Sequence, residues 1–481
     1  METSILIRIT AIRNVLQFLI QFAASVVVAR TLSPGEIGIF SVAMAAVGVA
    51  TVLRSGSIGV YLVQLRDLET KHIACSFGLS ITFSFILGLA VIAAAPYVAD
   101  LYQSEKIENV LYLISIGFFL LPPQTVASSL LSRELSFGRL TLAGLSATAV
   151  SSTVAVTLAL NGFGAMALAW GALCNSIIGL VAFSILGPRE MWVWPRFFRG
   201  WKEVWDITSW VILSSALAEV NARINELVVG KTLSLADAAL LERAATLPRL
   251  VWRHMMPPVL AIISPVVAHE VRAGENLRNS AVRRMRYFGC VFVPILAGMA
   301  SQSDNLILGI YGDQWGEAVL PATWFCIASA ITGQFTIINP ILNGIGRTRD
   351  VFKIHLFTFV CRLPVLFATA SISINAVAIG QLGVAIIASV FSIHAANRNG
   401  VILIRDLPSA LWPGLFCGIF IFSVGYVTNT LLSDFHVSDH IVALLISILV
   451  LAISLVAVLR VVEPDILRFA LKVLNIGNRR Q

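Results

Sequence analysis

Apolar stretches of around twenty residues recur along the whole chain, separated by short polar breaks. Each is long enough to cross a bilayer as a helix, because about twenty residues at about 1.5 Å rise span a core of about 30 Å. The pattern predicts fourteen helical spans, near residues 9–29, 37–60, 74–95, 109–131, 140–160, 165–186, 208–229, 238–267, 287–308, 319–342, 353–373, 376–396, 411–431 and 440–461.

One stretch occurs twice. Residues 28–43 read VARTLSPGEIGIFSVA and residues 229–244 read VGKTLSLADAALLERA. Val28, Thr31, Leu32, Ser33 and Ala43 recur identically, and Glu36 returns as Asp237. Each copy closes one apolar span and opens the next. Six spans separate the copies, so the second enters the membrane in the same direction as the first. This predicts two parallel six-helix lobes, residues 1–186 and 208–405, related by an axis along the membrane normal. A linker at 187–207 joins them. Two additional spans at 406–462 and an amphipathic tail at 463–481 follow.

Charge fixes the orientation. One set of alternate loops carries Arg66 and Lys71, then Arg133 and Arg139, then Arg189, Arg196, Arg199 and Lys202. Further along it carries Arg272, Arg278, Arg283, Arg284 and Arg286, then Arg347, Arg349 and Lys353, then Arg398 and Arg405. The opposite loops hold only Arg30, Lys106 and Lys231. The positive-inside rule puts the basic side, with both termini, in the cytoplasm. The net charge of +8 therefore reports topology and not nucleic-acid binding. In the linker, Trp192, Trp194, Phe197, Phe198, Trp201 and Trp205 stand among basic residues, as in an interfacial belt. In the tail, Ile466, Leu467, Ala470, Leu471 and Leu474 share a helical face suited to the inner leaflet.

Composition agrees with a membrane protein, with 57% hydrophobic and 12% charged residues. No small-residue cleavage site follows the first apolar run, so no cleavable signal peptide is expected. The six cysteines lie in or beside spans, show no metal-ligand spacing, and read as small packing residues. No metal, other cofactor or Walker A nucleotide loop is expected.

Ionisable residues inside spans cost about 2.5–3.5 kcal/mol each near the bilayer centre, so they face a cavity or a partner. Here the set is cationic. The first span carries Arg13, with Gln17 and Gln21 on the same face; the second carries Arg54. The seventh carries Glu219, Arg223 and Glu226, the eighth Glu242, Arg243, Arg249, Arg253 and His254, and the eleventh Arg362. One repeat period beyond Arg54 lies next to Arg253, so the two are expected at similar depth on symmetry-related spans. Guanidinium groups bind phosphate oxygens bidentately and stay charged in any environment. Arg54, Arg249, Arg253, Arg13 and Arg243 are thus candidates for an anionic headgroup. Arg249 and Arg253 share a helical face, where like charges repel unless an anion intervenes. Competing readings exist: Arg13 and Arg54 can snorkel to the interface, and Glu242 and Arg243 can pair with the seventh span. Arg362, followed by Pro364, is left open between a kink partner and a site. Glu219, Glu226 and Glu242 are candidates for proton or Na⁺ coupling, or for neutralising the arginines. The eighth span also holds Pro248, Pro257, Pro258 and Pro265, so it is not expected to be straight.

The run ARTLSPGEIGIFSVA, the VQLRDLE loop and, in the second half, LERAATLP followed by Ile263, Ser264 and Pro265 carry a resemblance over nearly the whole chain. They resemble the Wzx-type polysaccharide-repeat-unit flippases of the multidrug/oligosaccharidyl-lipid/polysaccharide (MOP) exporter superfamily. The chain departs from that family in lacking a longer basic lead before the first span. The resemblance implies an all-α integral membrane protein with two lobes in a V around a central cavity. It implies as substrate an oligosaccharide repeat unit on undecaprenyl pyrophosphate, with membrane lipids, a polysaccharide polymerase and chain-length machinery as partners. The related lipid II flippases use arginines of their first, second and eighth helices, which Arg13, Arg54 and one of Arg249 or Arg253 match by helix. The expected function is flipping across the bacterial inner membrane for exopolysaccharide biosynthesis by alternating access, with no reaction catalysed. The alternatives are a cation-coupled multidrug exporter of the same fold, a lipid II flippase and, in a different class, a membrane subunit of a glycan polymerase.

Overall fold

The computed structural model describes residues 2–65, 67–196, 201–273, 276–434 and 439–464. Side chains are described at all of these except 2–14, 49, 52–60, 63–64, 201–212, 214–215, 254–255, 257–262, 264–265 and 268.

Both copies of the repeat build the same joint. The first connects α1 (Glu2–Thr31) to α2 (Pro34–Gln64); the second connects α7 (Trp201–Thr232) to α8 (Leu235–Ala273). Leu32 N donates to the Val28 carbonyl at 2.9 Å, and Leu233 N to Val229 at 2.9 Å. The Thr31 and Thr232 hydroxyls donate to the Val27 and Val228 carbonyls at 2.5 and 3.0 Å. Ser33 Oγ then accepts from Glu36 N, while the Glu36 carboxylate accepts from Ser33 N at 2.9 Å. Ser234 Oγ likewise accepts from Asp237 N at 3.0 Å. A serine with an acid three residues on satisfies donors that a helix start leaves open. The retained Thr-Leu-Ser and acid positions are thus a helix stop followed by a helix start.

Among the described residues every regular element is helical. The chain forms two compact units, Met1–Ala239 and Leu240–Gln481. In the first, α3 (Thr70–Tyr102), α4 (Glu105–Arg133), α5 (Phe137–Leu160) and α6 (Ala165–Leu186) accompany α1, α2 and α7. One buried cluster gathers Val42, Val47, Val110, Ile114 and Leu173; another gathers Tyr61, Leu62, Val126, Leu130 and Phe183. Cations close two helix ends, where carbonyls lack intrahelical partners. Arg133 Nη1 donates to the carbonyls of Leu62 (2.9 Å) and Leu65 (2.5 Å), and Lys231 Nζ to that of Leu101 (2.6 Å). By the repeat α7 opens the second lobe, yet its packing partners in the first unit are α2 and α3. The linker begins against α3: Arg196 N donates to the Ala74 carbonyl at 2.9 Å, and Gly78 gives the Arg196 backbone room. Trp192 and Trp194 are 59% and 87% exposed. Phe197, Phe198 and Arg199 lie outside the described residues, as do the side chains of Trp201, Lys202 and Trp205.

In the second unit, α9 (Leu277–Ser301), α10 (Ser303–Tyr311), α11 (Val319–Thr336), α12 (Ile338–Gly344), α13 (Thr348–Ala370), α14 (Ile374–Arg398), α15 (Leu407–Asp434) and α16 (His440–Val462) follow α8. The expected ninth span is not one rod: α9 and α10 meet at a 66° bend. The polar run at 301–305 bonds to other helices there instead of continuing an apolar face. The expected tenth span is one apolar stretch, Asp313–Gly344, with a single turn residue, Ile337, between α11 and α12. Pro340 explains this, since it lacks the N–H that would serve the Thr336 carbonyl. α8, by contrast, is assigned as one helix of 39 residues through its four prolines. Arginines on the first turns of α9 bind acids from three elements. Arg278 forks onto Asp406 (2.7 and 2.5 Å), Arg284 pairs with Glu270, and Arg286 pairs with Glu463. All six cysteines are free, and Cys290 of α9 lies against Cys417 of α15. The tail at 465–481, with its expected amphipathic face, lies outside the described residues.

Among the described residues nine helical stretches are long and apolar enough to cross a membrane, or ten with the bent α9–α10 pair as one. Their outer faces are apolar: on α16, Leu445, Leu449 and Ile453 are 64%, 62% and 62% exposed. Such faces belong against lipid.

Candidate functional site

The ionisable residues within spans are the natural candidates, and the two units hold them differently. In the first unit α7 presents Glu219, Arg223 and Glu226 along one stripe. Arg223 Nε donates to Glu219 Oε1 at 3.1 Å, and its Nη1 lies 3.9 Å from Glu226 Oε2. Glu226 is 1% exposed. Glu219 rests on α2 at Gly48, where a Cβ would stand only 2.8 Å from its Oε1. The structure thus brings together two of the three predicted carboxylates, through an arginine that was not among the predicted site residues. Gln17 of α1 bonds to Thr148 Oγ1 of α5 at 3.4 Å. Arg13 and Arg54 are carried on α1 and α2, but their side chains lie outside those described.

In the second unit the arginines of α8 part ways. Arg243 stacks beside two buried rings, its guanidinium carbon 5.0 Å from the Tyr311 centroid and 5.4 Å from that of Trp315. Both rings are essentially inaccessible, at 1% and 0% exposure. A half-buried guanidinium over aromatic faces is held by their quadrupoles. Arg249 is half-buried, as is Arg362 of α13. Arg253, one turn beyond Arg249, is exposed. The two members of the predicted like-charge pair thus differ in exposure. Glu242 is half-buried, one residue from Arg243.

Sequence reasoning missed the aromatic partners of Arg243, which lie far downstream beyond the bend. It also missed a polar chain at the bend itself. Gln302 Nε2 donates to the Gly425 carbonyl at 2.8 Å. Asn305 Nδ2 donates to Gln302 Oε1 (3.0 Å) and Asn429 Oδ1 (2.9 Å). Asn429 Nδ2 donates to Asp304 Oδ2 (2.7 Å), and His440 Nδ1 to Asn305 Oδ1 (2.9 Å). The available signal was the run Gln302, Ser303, Asp304 and Asn305 inside an apolar stretch.

Comparison with known proteins fits this arrangement of apolar helices and intramembrane charge. Residues 27–320 match the family model described as "Polysaccharide biosynthesis protein". The succinoglycan biosynthesis transport protein ExoT of Rhizobium meliloti (strain 1021) is 24% identical over 344 residues, 70% of this chain and 68% of that protein. The lipopolysaccharide biosynthesis protein WzxC of Escherichia coli (strain K12) is 20% identical over 350 residues, 71% of this chain and 69% of its own length. Among solved structures, the lipid II flippase MurJ in an inward closed conformation aligns with a TM-score of 0.73 and 14% identity, covering 94% of this chain and 98% of that one. An inward-facing multidrug resistance MATE family transporter of the MOP superfamily aligns at 0.63 with 15% identity, covering 80% and 96%. At such identities these two structures speak for the fold alone, and that fold is the MOP transporter fold. The family match covers more than half of the sequence: the chain is a multi-pass membrane protein of the polysaccharide biosynthesis protein family, a family of transporters and not of enzymes.

Proposed function

We propose that this protein flips oligosaccharide repeat units, carried on undecaprenyl pyrophosphate, across the bacterial inner membrane for exopolysaccharide biosynthesis. The observation that carries the reading is Arg249, a half-buried guanidinium within a membrane helix of a polysaccharide-family transporter, with Arg253 one turn away. A pyrophosphate offers the oxygens that guanidinium forks bind. Arg54, Arg249, Arg253, Arg13 and Arg243 are the proposed headgroup contacts. Glu219, Glu226 and Glu242 are the proposed proton or Na⁺ sites, with Arg223 holding the first two in place.

The transport cycle in this reading is alternating access, with the prenyl tail remaining in lipid while the arginines take the headgroup. Helices α1, α2, α7 and α8 are 30, 31, 32 and 39 residues long, enough to cross a bilayer. Added to the ten spans above, they support fourteen crossings with both termini in the cytoplasm. The lobes at 1–186 and 208–405 remain the repeat's proposal. Polymerase and chain-length proteins are the proposed partners. A multidrug exporter of the same fold would favour acidic, aromatic contacts for cationic drugs, and the arginines of α8 oppose that choice.

Mass spectrometry of the undecaprenyl-linked pool in a strain lacking this protein tests the reading. One completed, pyrophosphate-linked repeat unit should accumulate on the cytoplasmic side while surface polymer disappears. An unchanged pool with polymer intact would remove the proposal. New drug sensitivity in that strain would favour the exporter.

A further inference from the structure

The two terminal helices fall outside the twelve spans of the repeat, and flipping by itself gives them no task. Their contacts within the second unit do. α15 lies along α9 with the backbones nearly touching. A Cβ on Gly414 would meet the Gly289 backbone at 2.8 Å, one on Gly418 would meet Val293 Cγ1 at 2.7 Å, and one on Gly425 would run into Ser301 Oγ. Small residues at this spacing let helices approach closely in a membrane, where packing and not the hydrophobic effect drives association. Cys290 and Cys417, both fully buried, lie side by side in the same seam.

Directional bonds close both ends of the seam. At one end Arg278 forks onto Asp406 at the start of α15, and Arg286 pairs with Glu463 just past α16. At the other end is the polar chain at the bend. The bend carries the side-chain amides of Gln302 and Asn305, and lipid offers them no partners. Here α15 supplies the Gly425 carbonyl and Asn429, and α16 supplies His440. His440 also packs on α10, its Cβ 3.2 Å from where a Cβ on Gly309 would be. α10 then ends in Tyr311, which with Trp315 flanks Arg243 of α8.

We propose that α15 and α16 are a fixed brace of the second unit. They hold the α9–α10 bend through the transport cycle and so position Tyr311 and Trp315 around Arg243. Asn305, Asn429 and His440 are positioning residues. They act on Arg243 through the bent span.

The test uses the full chain in membranes and has two arms. The first needs no substrate. Ile307 on α10 is fully buried, so Ile307→Cys, in a chain whose native cysteines are serine, should react slowly with N-ethylmaleimide. Adding Asn429→Leu should raise that rate at least tenfold, which corresponds to about 1.4 kcal/mol of lost protection. An unchanged rate overturns the brace. If Asn429→Leu does not accumulate, Asn429→Ser and His440→Leu are read in the same way. The second arm rests on the proposed function. Iodine, a small apolar oxidant that enters the seam through lipid, oxidises native Cys290 and Cys417 to a disulfide with release of two iodides and two protons, and translocation of a fluorescent undecaprenyl-pyrophosphate-linked disaccharide is followed in proteoliposomes. Joined and unjoined protein should move it at rates within twofold. Loss of movement on joining overturns the fixed brace. If the unjoined protein moves none, the flipping proposal falls, and the labelling arm still decides the brace.

Discussion

Ser33 and Ser234 do the same work at two places in the chain. Each closes a helix start with its hydroxyl, backed by an acid three residues later. Replacing either by alanine leaves a donor at the helix start without its partner, at a cost of about 1 kcal/mol. Ser33→Ala and Ser234→Ala should each lower the unfolding temperature in detergent, while Ser33→Thr and Ser234→Thr should recover most of it. If the alanine forms melt like the parent, the repeat is kept for another reason. Arg243 is a different kind of residue, because its neighbours come from a remote part of the chain. Two aromatic faces hold its charge, and a half-buried contact of this type contributes about 1–2 kcal/mol. Trp315→Leu should therefore destabilise the protein by that order beyond the loss expected for packing, and the excess should vanish in an Arg243→Met background. A double-mutant cycle on thermal or denaturant unfolding reads the difference. A coupling near zero would show that the rings merely fill space.

At the scale of helices, local chemistry made some features legible. The stop at Thr31 and the start at Ser33 are built from residues within a few positions of one another, so the spans and the duplicated joint could be read from the sequence. The bend at Gln302 could not. Its amides are satisfied by Gly425, Asn429 and His440, and no nearby residue announces them. The different exposure of Arg249 and Arg253 was hidden for the same reason: helical spacing gives a shared stripe but not which neighbour covers it. Packing of α2 against the start of α8 is likewise invisible in sequence, though two glycines of α2 make it testable. A Cβ on Gly38 would run into the Leu235 carbonyl, whereas one on Gly35 meets nothing within 4 Å. Gly35→Ala should be neutral or stabilising by about 0.4–1 kcal/mol, since alanine loses less entropy in a helix. Gly38→Ala must push backbone aside and should cost about 1–3 kcal/mol. Equal melting of the two variants would mean that α2 and the start of α8 are not in tight contact in the membrane.

For the whole molecule, the strongest sequence argument is the sidedness of lysine and arginine. The structure adds that Arg278, Arg284 and Arg286, on the proposed cytoplasmic side, are engaged with acids. That does not weaken the topology, because the rule counts lysine and arginine near the spans and takes little notice of carboxylates. Fourteen crossings count α9 with the nine-residue α10 as one span and α11 with the seven-residue α12 as another, since neither short helix reaches across a bilayer alone. Single cysteines in a chain freed of its six native ones decide this. Glu134 and Glu190 sit in loops assigned to the cytoplasm and Asn161 and Ser371 in loops assigned to the outer side, and all four are exposed. None of them is a lysine or arginine, so replacing them leaves the orienting charges in place. Asn161→Cys and Ser371→Cys should react with a membrane-impermeant maleimide added to intact spheroplasts. Glu134→Cys and Glu190→Cys should react only after the membrane is opened. Because Asn161 precedes the bent span and Ser371 follows it, agreement between those two also tests the pairing of the half-helices. A Ser371→Cys that labels only from within, beside an Asn161→Cys that labels from without, would mean that α9–α12 cross an odd number of times, and the fourteen-span topology would have to be redrawn around the bend.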